Sequence, residues 1–278
     1  MSSYVAPGAA RAAQTWIEVA DRVFVHRYAD FNVNVGLIVG ETSALVVDTR
    51  GSERQGRELR GQIRWLTHLP LAAANTHHHY DHAYGNSAFL PAKIWGHEQC
   101  AVRLRADGRT TQFALAAAKP ELEEEYMETR ITPPNKTFRD GVVLDLGRRL
   151  VQLTHFGRGH TDNDVVVVVP DAHVVLAGDL VEQGAPPSFE DSYPMDWPGT
   201  LGRMLDVADG PIVPGHGEVV DRSFVEAQLA DVSALAQLAR RVRFDGGSAD
   251  DALPPSPFPD AVARVAFRRA FAQLAGGL

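Results

Sequence analysis

Thr76-His77-His78-His79-Tyr80-Asp81-His82 packs four of the chain's eleven histidines into six positions, directly after the short apolar run Leu71–Ala74. Along an extended segment successive side chains alternate in direction. His77 and His79 therefore point one way and His78 the other. Asp81 continues the first face, and His82 follows as the chain turns into Ala83-Tyr84-Gly85-Asn86. Imidazole and carboxylate are the usual donors for zinc and similar borderline cations. A lone histidine pair would read as a surface loop. Four donors behind a buried strand read as a cation site.

Three further donors lie outward from this cluster, each beside a glycine at the end of an apolar run. They are His160 in Gly157-Arg158-Gly159-His160-Thr161, Asp179 in Leu176-Ala177-Gly178-Asp179, and His216 in Val213-Pro214-Gly215-His216-Gly217. Glycine lets a backbone approach a shared ion without a Cβ clash. Seven donors are enough for two sites.

Short β-rich runs come in two sets. The first holds Val23–His26, Val35–Val39, Ala44–Val47, Leu71–Ala74 and Ala92–Trp95; the second holds Val142–Leu144, Leu150–Thr154, Val165–Val169 and Val174–Leu176. Helices are expected over Ser52–Leu66, with Arg54, Arg57, Arg60 and Arg64 solvated, and over most of Glu98–Met127 with a break near Asp107-Gly108. Phe113 and Tyr126 on the latter make it a candidate lid. Asp196 is the expected N-cap of a helix from Trp197 to Val207. The chain beyond Arg222 reads as helical, interrupted by a loop from Gly246 to Pro259. Two sheets packed face to face with helices outside would satisfy this order, as would other α/β layouts.

The histidines decide between them. His-x-His-x-Asp-His, a later Gly-His-Thr, a Gly-Asp and a final Gly-His together resemble the metallo-β-lactamase superfamily, over a frame from about Val23 to Gly217. The resemblance implies an α/β (α+β) chain built as a four-layer αββα sandwich. The expected organisation is one domain over 1–278, with a core of about 16–221 and a helical C-terminal extension of about 222–278. It also implies roles. His77, His79 and His160 hold a first metal; Asp81, His82 and His216 hold a second; Asp179 bridges them; Asp48 supports the site from behind. Asp81 is the catalytic residue that orients the attacking water. The cofactors expected are two divalent ions, zinc first, with Mn, Fe or Co accepted by the same donors. Such a pair shares a solvent oxygen and lowers its pKa toward neutrality, which gives the hydroxide of a dinuclear hydrolase.

The rest of the chain narrows the function. The 278 residues are 45% hydrophobic and 22% charged, with a net charge of -8. With no basic excess, a nucleic-acid partner is not expected. No apolar run is long enough for a membrane span and no signal-peptide h-region is visible, so a cytoplasmic protein with a small-molecule substrate is expected. A homo-oligomer is compatible with this. The lone Cys100 is nowhere near the position of the cysteine ligand in true β-lactamases of this family, and it reads as buried and inert. Glu182 stands where signalling-lactone hydrolases carry a tyrosine, and Glu218–Ser223 lacks the basic stretch expected of a glutathione thioesterase. The expectation is hydrolysis of a small ester, lactone, thioester or amide. The rival is a mononuclear iron persulfide or thiol dioxygenase of the same fold; a non-catalytic metal-binding relative ranks last. His26, His68, His155 and His173 read as surface or structural, and His97 as a helix cap more than a pocket residue. Gln183–Trp197 reads either as a pocket wall or as packing.

Overall fold

The strands β1 (Trp16–Ala20), β2 (Val23–Arg27), β3 (Asn34–Val39) and β4 (Ala44–Val47) form an antiparallel meander. Helix α1 (Glu53–Ile63) then returns the chain so that β5 (Leu71–Ala74) lies parallel to β4. After the short α2 (Tyr80–Ala83) come β6 (Ile94–His97), α3 (Glu98–Ala106), α4 (Gly108–Ala118), α5 (Glu123–Glu128) and β7 (Lys136–Phe138), which complete a seven-stranded sheet. β8 (Gly141–Asp145), β9 (Leu150–Thr154), β10 (Val166–Val169), β11 (Val174–Glu182) and, after α6 (Trp197–Leu205), β12 (Ile212–His216) form a five-stranded sheet. Helices α7 (Arg222–Phe244) and α8 (Asp260–Leu274) follow. The computed structural model describes residues 16–248 and 255–277, so part of the expected Gly246–Pro259 loop (249–254) lies outside the described residues.

Period-2 alternation in runs of pure valine explains the layering. In β10, Val167 and Val169 face the first sheet, together with Val25, Ile38 and Val47, whereas Val166 and Val168 face Trp197, Leu201 and Phe267 of the outer helices. Val35, Leu37 and Val46 face outward from the first sheet onto Leu59 and Ile63 of α1. Strands buried on both faces need no polar alternation. The result is helix, sheet, sheet, helix, the four layers expected.

Helix α1 begins where Ser52 Oγ accepts the Gln55 N–H at 3.1 Å, while the same hydroxyl donates to Glu125 at 2.5 Å. Ser52→Ala is expected to cost about 1 kcal/mol through the lost cap. Thermal denaturation checks it, with a fall of about 2–4 °C expected.

Several elements differ from expectation. The sheet gains β1 and β7, and β6 begins two residues later than read. The long helix breaks a second time at Lys119-Pro120. Arg60 is only half-exposed and donates to the Ala88 carbonyl at 2.8 Å. Asp196 precedes α6 but does not cap it, because its carboxylate takes Arg158 instead, at 2.7 Å. His97 does cap α3, accepting the Gln99 N–H at 3.2 Å. Among the described residues no helix is long and apolar enough to cross a membrane.

Candidate metal centre

All seven predicted donors converge at one edge of the sandwich. The turn after β5 brings His77, His79, Asp81 and His82; the β9–β10 connection brings His160; β11 brings Asp179; the end of β12 brings His216. They form two adjoining groups. His77, His79, His160 and Asp179 make the first, and Asp81, His82 and His216 the second, with ligand atoms in each lying within 4.8 Å of one another. His160 Nε2 lies 2.9 Å from His79 Nδ1, and His82 Nε2 lies 3.2 Å from His216 Nε2. Asp179 stands between the groups. Its Oδ2 is 3.7 Å from His77 Nε2, 3.5 Å from His160 Nε2 and 3.3 Å from His216 Nε2, and its Oδ1 is 3.2 Å from His82 Nε2. Asp81 Oδ2 is 3.4 Å from His216 Nε2.

The nitrogens facing away from the centre explain what the inner ones offer. A carbonyl or carboxylate can only accept, so its imidazole partner must carry the proton there. His216 Nδ1 donates to the Phe31 carbonyl at 2.7 Å, His82 Nδ1 to Asp48 at 2.8 Å, and His79 Nε2 to Asp191 at 3.2 Å. Thr76 Oγ1 gives its one proton to Asp48 at 2.8 Å, so it accepts from His77 Nδ1 at 3.1 Å. In their neutral form four histidines thus turn bare lone pairs inward, where they meet one another without a proton to share. Buried His77 Nε2 and Asp179 Oδ1 have no hydrogen-bond partner. Buried polar groups are rarely left so. Lone pairs and carboxylates gathered this way fit divalent cations.

The electrostatics divide the histidines: burial opposes charge on all of them, but Asp179, Asp81 and Asp48 raise His82 well above the usual histidine value, and Asp191 raises His79. Burial, then the charge of His82, holds the His77 pKa well below the usual histidine value, and burial takes His160 to about 4. Burial also opposes charge on His216, but Asp179 and Asp81 outweigh it and lift its pKa to about 9. Below that pH a cation must displace the His216 proton. Zn2+ affinity is therefore expected to fall as pH is lowered from about 9 to 6, by up to about tenfold per unit for each proton displaced from His216 or His82. Equilibrium titration at three pH values checks this, and a flat profile would contradict it.

Glycine matters here at two positions. Gly178, with φ at +55°, carries the chain into Asp179 in a conformation that L side chains rarely adopt. A Cβ on Gly215 would stand 1.7 Å from Asp179 Oδ1.

One supporting residue, Asp191, escaped the sequence reading, and another, Glu182, is legible there only as standing in place of a tyrosine. Asp191, from the irregular segment after β11, contacts His79 and also lies 3.5 Å from His78 Nε2. His78 turns out of the two groups, toward Asp191 and Asn163. Glu182 places Oε1 3.8 Å from His160 Nδ1; burial, then the charge of Asp179, raises its pKa to about 8. Within Gln183–Trp197 the aromatic residues Phe189, Tyr193 and Trp197 are buried packing, Trp197 lying edge-on to His160 at 5.9 Å between ring centres, and Asp191 brings a carboxylate to the histidine cluster. On the side of the expected lid, Phe113 is exposed and Tyr126 packs toward Tyr80 at 6.4 Å. A cleft of about 470 Å³ lined by Phe31, Arg50, Lys119 and Tyr126 opens beside the turn that holds His216. Another, of about 390 Å³, lies by Arg64 and Leu71, at the end of β5 away from the histidines.

Known proteins share this frame. A family model described as the metallo-beta-lactamase superfamily matches residues 28–218. The acyl-coenzyme A thioesterase MBLAC2 of Homo sapiens is 25% identical over 66% of this chain and 72% of its own length. Its Bos taurus counterpart is 27% identical over 53% of this chain, which spans only 56% of that protein. The metallo-beta-lactamase IND-1 of Chryseobacterium indologenes is 23% identical over 72% of this chain and 78% of its own. Among solved structures, a metallo-beta-lactamase from Pontibacter korlensis superposes with a TM-score of 0.61 at 20% identity, over 78% of this chain and 98% of that one.

Proposed function

Because the chain belongs to the metallo-beta-lactamase superfamily, we propose that it is a dinuclear metal-dependent hydrolase of a small carboxyl-derived bond, with a thioester the first choice. One observation carries the reading. Seven donors from four separate stretches of chain meet in two groups that share Asp179, with outer acceptors that turn unprotonated nitrogens inward. His77, His79, His160 and Asp179 would hold one ion, and Asp81, His82, His216 and Asp179 the other, zinc in the first instance. Bound there, such ions supply Lewis acidity and a solvent-derived nucleophile at neutral pH.

The chain's own residues do the rest. Asp48 and the Phe31 carbonyl fix His82 and His216 in orientation and tautomer, as outer partners of metal-binding histidines do. Asp81 is less deeply buried than Asp179, so its carboxylate is the one placed to orient an attacking water and take its proton. Asp179 keeps its charge: burial works against it, but His82, His216 and His77 hold its carboxyl well below the usual range. Thioesters rank first because two of the relatives are named acyl-coenzyme A thioesterases. Relatives named metallo-beta-lactamase keep the amide bond on the list. An oxygenase with a single iron would leave the second group of donors unused, and a non-catalytic relative would show no turnover for Asp81→Ala to abolish.

Metal quantification on purified protein, followed by a thioester, lactone, ester, β-lactam and phosphodiester panel, tests the reading. About two ions per chain and turnover of a carboxyl-derived substrate are expected. One iron with O₂ uptake would replace the reading by oxygenation. If no substrate is turned over faster than by the His79→Ala variant, hydrolysis is not the function.

A further inference from the structure

The family match ends at residue 218, and α7 and α8 lie beyond it. Both helices grip the chain that carries the metal centre. On α7, Gln228 donates from Nε2 to the Leu180 carbonyl at 2.8 Å and accepts the Glu182 N–H at 3.3 Å, bracketing the residues that follow Asp179. On α8, Arg269 donates from Nη2 to the Asp191 carbonyl at 2.7 Å and from Nε to the Ser192 carbonyl at 2.9 Å. One turn further, Gln273 accepts the Met195 N–H at 2.9 Å and donates to the Asp196 carboxylate at 3.2 Å. Arg269 also sits over the Tyr193 ring, 5.5 Å from its centre.

The chain from 183 to 196 has no helix or strand of its own. Apart from two turns of its own, Ser192 N–H to the Phe189 carbonyl and Asp196 N–H to the Tyr193 carbonyl, its buried backbone groups need partners from elsewhere, and those partners set where its side chains stand. Asp191 is the residue for which this matters, because its carboxylate is the acceptor that turns His79 Nδ1 toward His160. The planar guanidinium of Arg269 fixes two successive carbonyls at once, a geometry that a single ammonium does not reproduce.

We propose that α8 is a positioning element for the first group of ligands and that Arg269 is its positioning residue. Arg269 holds the Asp191 backbone so that the Asp191 carboxylate meets His79, and His79 is thereby kept in the orientation and tautomer that a cation needs. The proposal rests on the reading that the first group holds a cation. Arg269 is separable from the anchoring of α8 itself, since Ala263, Ala266, Phe267 and Ala270 bury that helix in the core.

Zn2+ is titrated against a competing chromophoric chelator for the parent protein, Arg269→Gln, Asp191→Ala, the double variant, Arg269→Lys and Phe267→Leu. Loss of an outer partner weakens metal binding by about 10–100-fold. Arg269→Gln is expected to weaken one of the two ions by about tenfold and to leave the other unchanged. Asp191→Ala weakens the same ion. The double variant is no worse than Asp191→Ala, because residues acting in series are not additive. Arg269→Lys, keeping one of the two donated bonds, recovers part of the loss. Phe267→Leu loosens the packing of α8, lowers the melting temperature and leaves both affinities alone. The proposal is overturned if Arg269→Gln binds both ions like the parent, if its loss adds to that of Asp191→Ala, or if Phe267→Leu weakens Zn2+ equally. A parent protein that binds no Zn2+ removes the hydrolase reading and this inference with it. Two bound ions with an unaffected Arg269→Gln remove this inference alone.

Discussion

Asp179→Ala is expected to abolish measurable hydrolysis and to leave less than one ion per chain after dialysis. The buried carboxylate is the only donor whose oxygens reach both groups, at 3.2 Å from His82, 3.3 Å from His216 and 3.5 Å from His160. Removing a partner behind a metal ligand already costs about 10–100-fold. Removing a ligand shared by two ions should exceed the upper end of that range. The imidazoles left behind would have lost the anion that balances them, and neighbouring cations bound so close together would repel each other unscreened. Asp179→Asn separates charge from shape, since it keeps the side-chain volume and one acceptor oxygen. An intermediate loss is expected for it, with one ion retained. Metal content per chain and kcat on the best substrate of the panel are the two measurements. If Asp179→Ala retained two tightly bound ions, the shared-carboxylate arrangement would be wrong, whatever happened to the rate.

The donors were legible in the sequence because chemistry and local structure coincide there. Histidine runs are rare, and glycine beside His160, Asp179 and His216 marks chain that must pass close to something. The strands of the core were legible for a related reason, since valine-rich runs such as Val166–Val169 are buried on both faces whatever they pair with. β1 and β7 gave no such signal. Trp16–Ala20 buries only its first residue, and Lys136–Phe138 is three residues long with two of them exposed. β11 ran on past its expected end at Leu176 through Gly178, because the parallel pairing with β12 shifts register there and continues to Glu182.

Asp191 was hidden for a different reason. It belongs to a stretch without periodicity, twelve residues after Asp179, and its place beside His79 is set by Arg269 from a helix nearly eighty positions away. Nothing local in Glu190-Asp191-Ser192 distinguishes it from a solvated turn. First ligands are readable when they stand beside a glycine or in a histidine run next to a buried strand. Their outer partners are readable only when they directly follow a buried strand, as Asp48 does after β4.

Gly215→Ala should be nearly as damaging as the loss of Asp179, although it removes no chemical group. Gly215 lies in β12, one residue before His216, and pairs that strand against the chain around Asp179. The added carbon would stand 1.7 Å from Asp179 Oδ1 and 2.9 Å from the Asp179 backbone nitrogen. The first contact can be relieved only by swinging the carboxylate out of the space between the two groups. The second involves backbone, so its relief pushes β11 and β12 apart and carries His216 with it. Either response breaks the contact of Asp179 with His216, now 3.3 Å. Overpacking of a well-filled interior costs about 1–3 kcal/mol, which a chain with this much buried core should survive, so the variant is expected to fold. Activity should nevertheless fall by more than about 100-fold, beyond the loss of an outer partner, with metal content reduced toward one ion. Gly61→Ala supplies the contrast. That glycine lies in α1 with nothing within 4 Å of an added Cβ, and replacing it should stabilise the protein by about 0.4–1 kcal/mol with no change in metal content. Circular dichroism, metal analysis and turnover on the two variants decide the matter. A folded Gly215→Ala protein with two ions and ordinary turnover would mean that Asp179 does not need the space this glycine leaves, and the close approach of β12 to the carboxylate would then be incidental to binding.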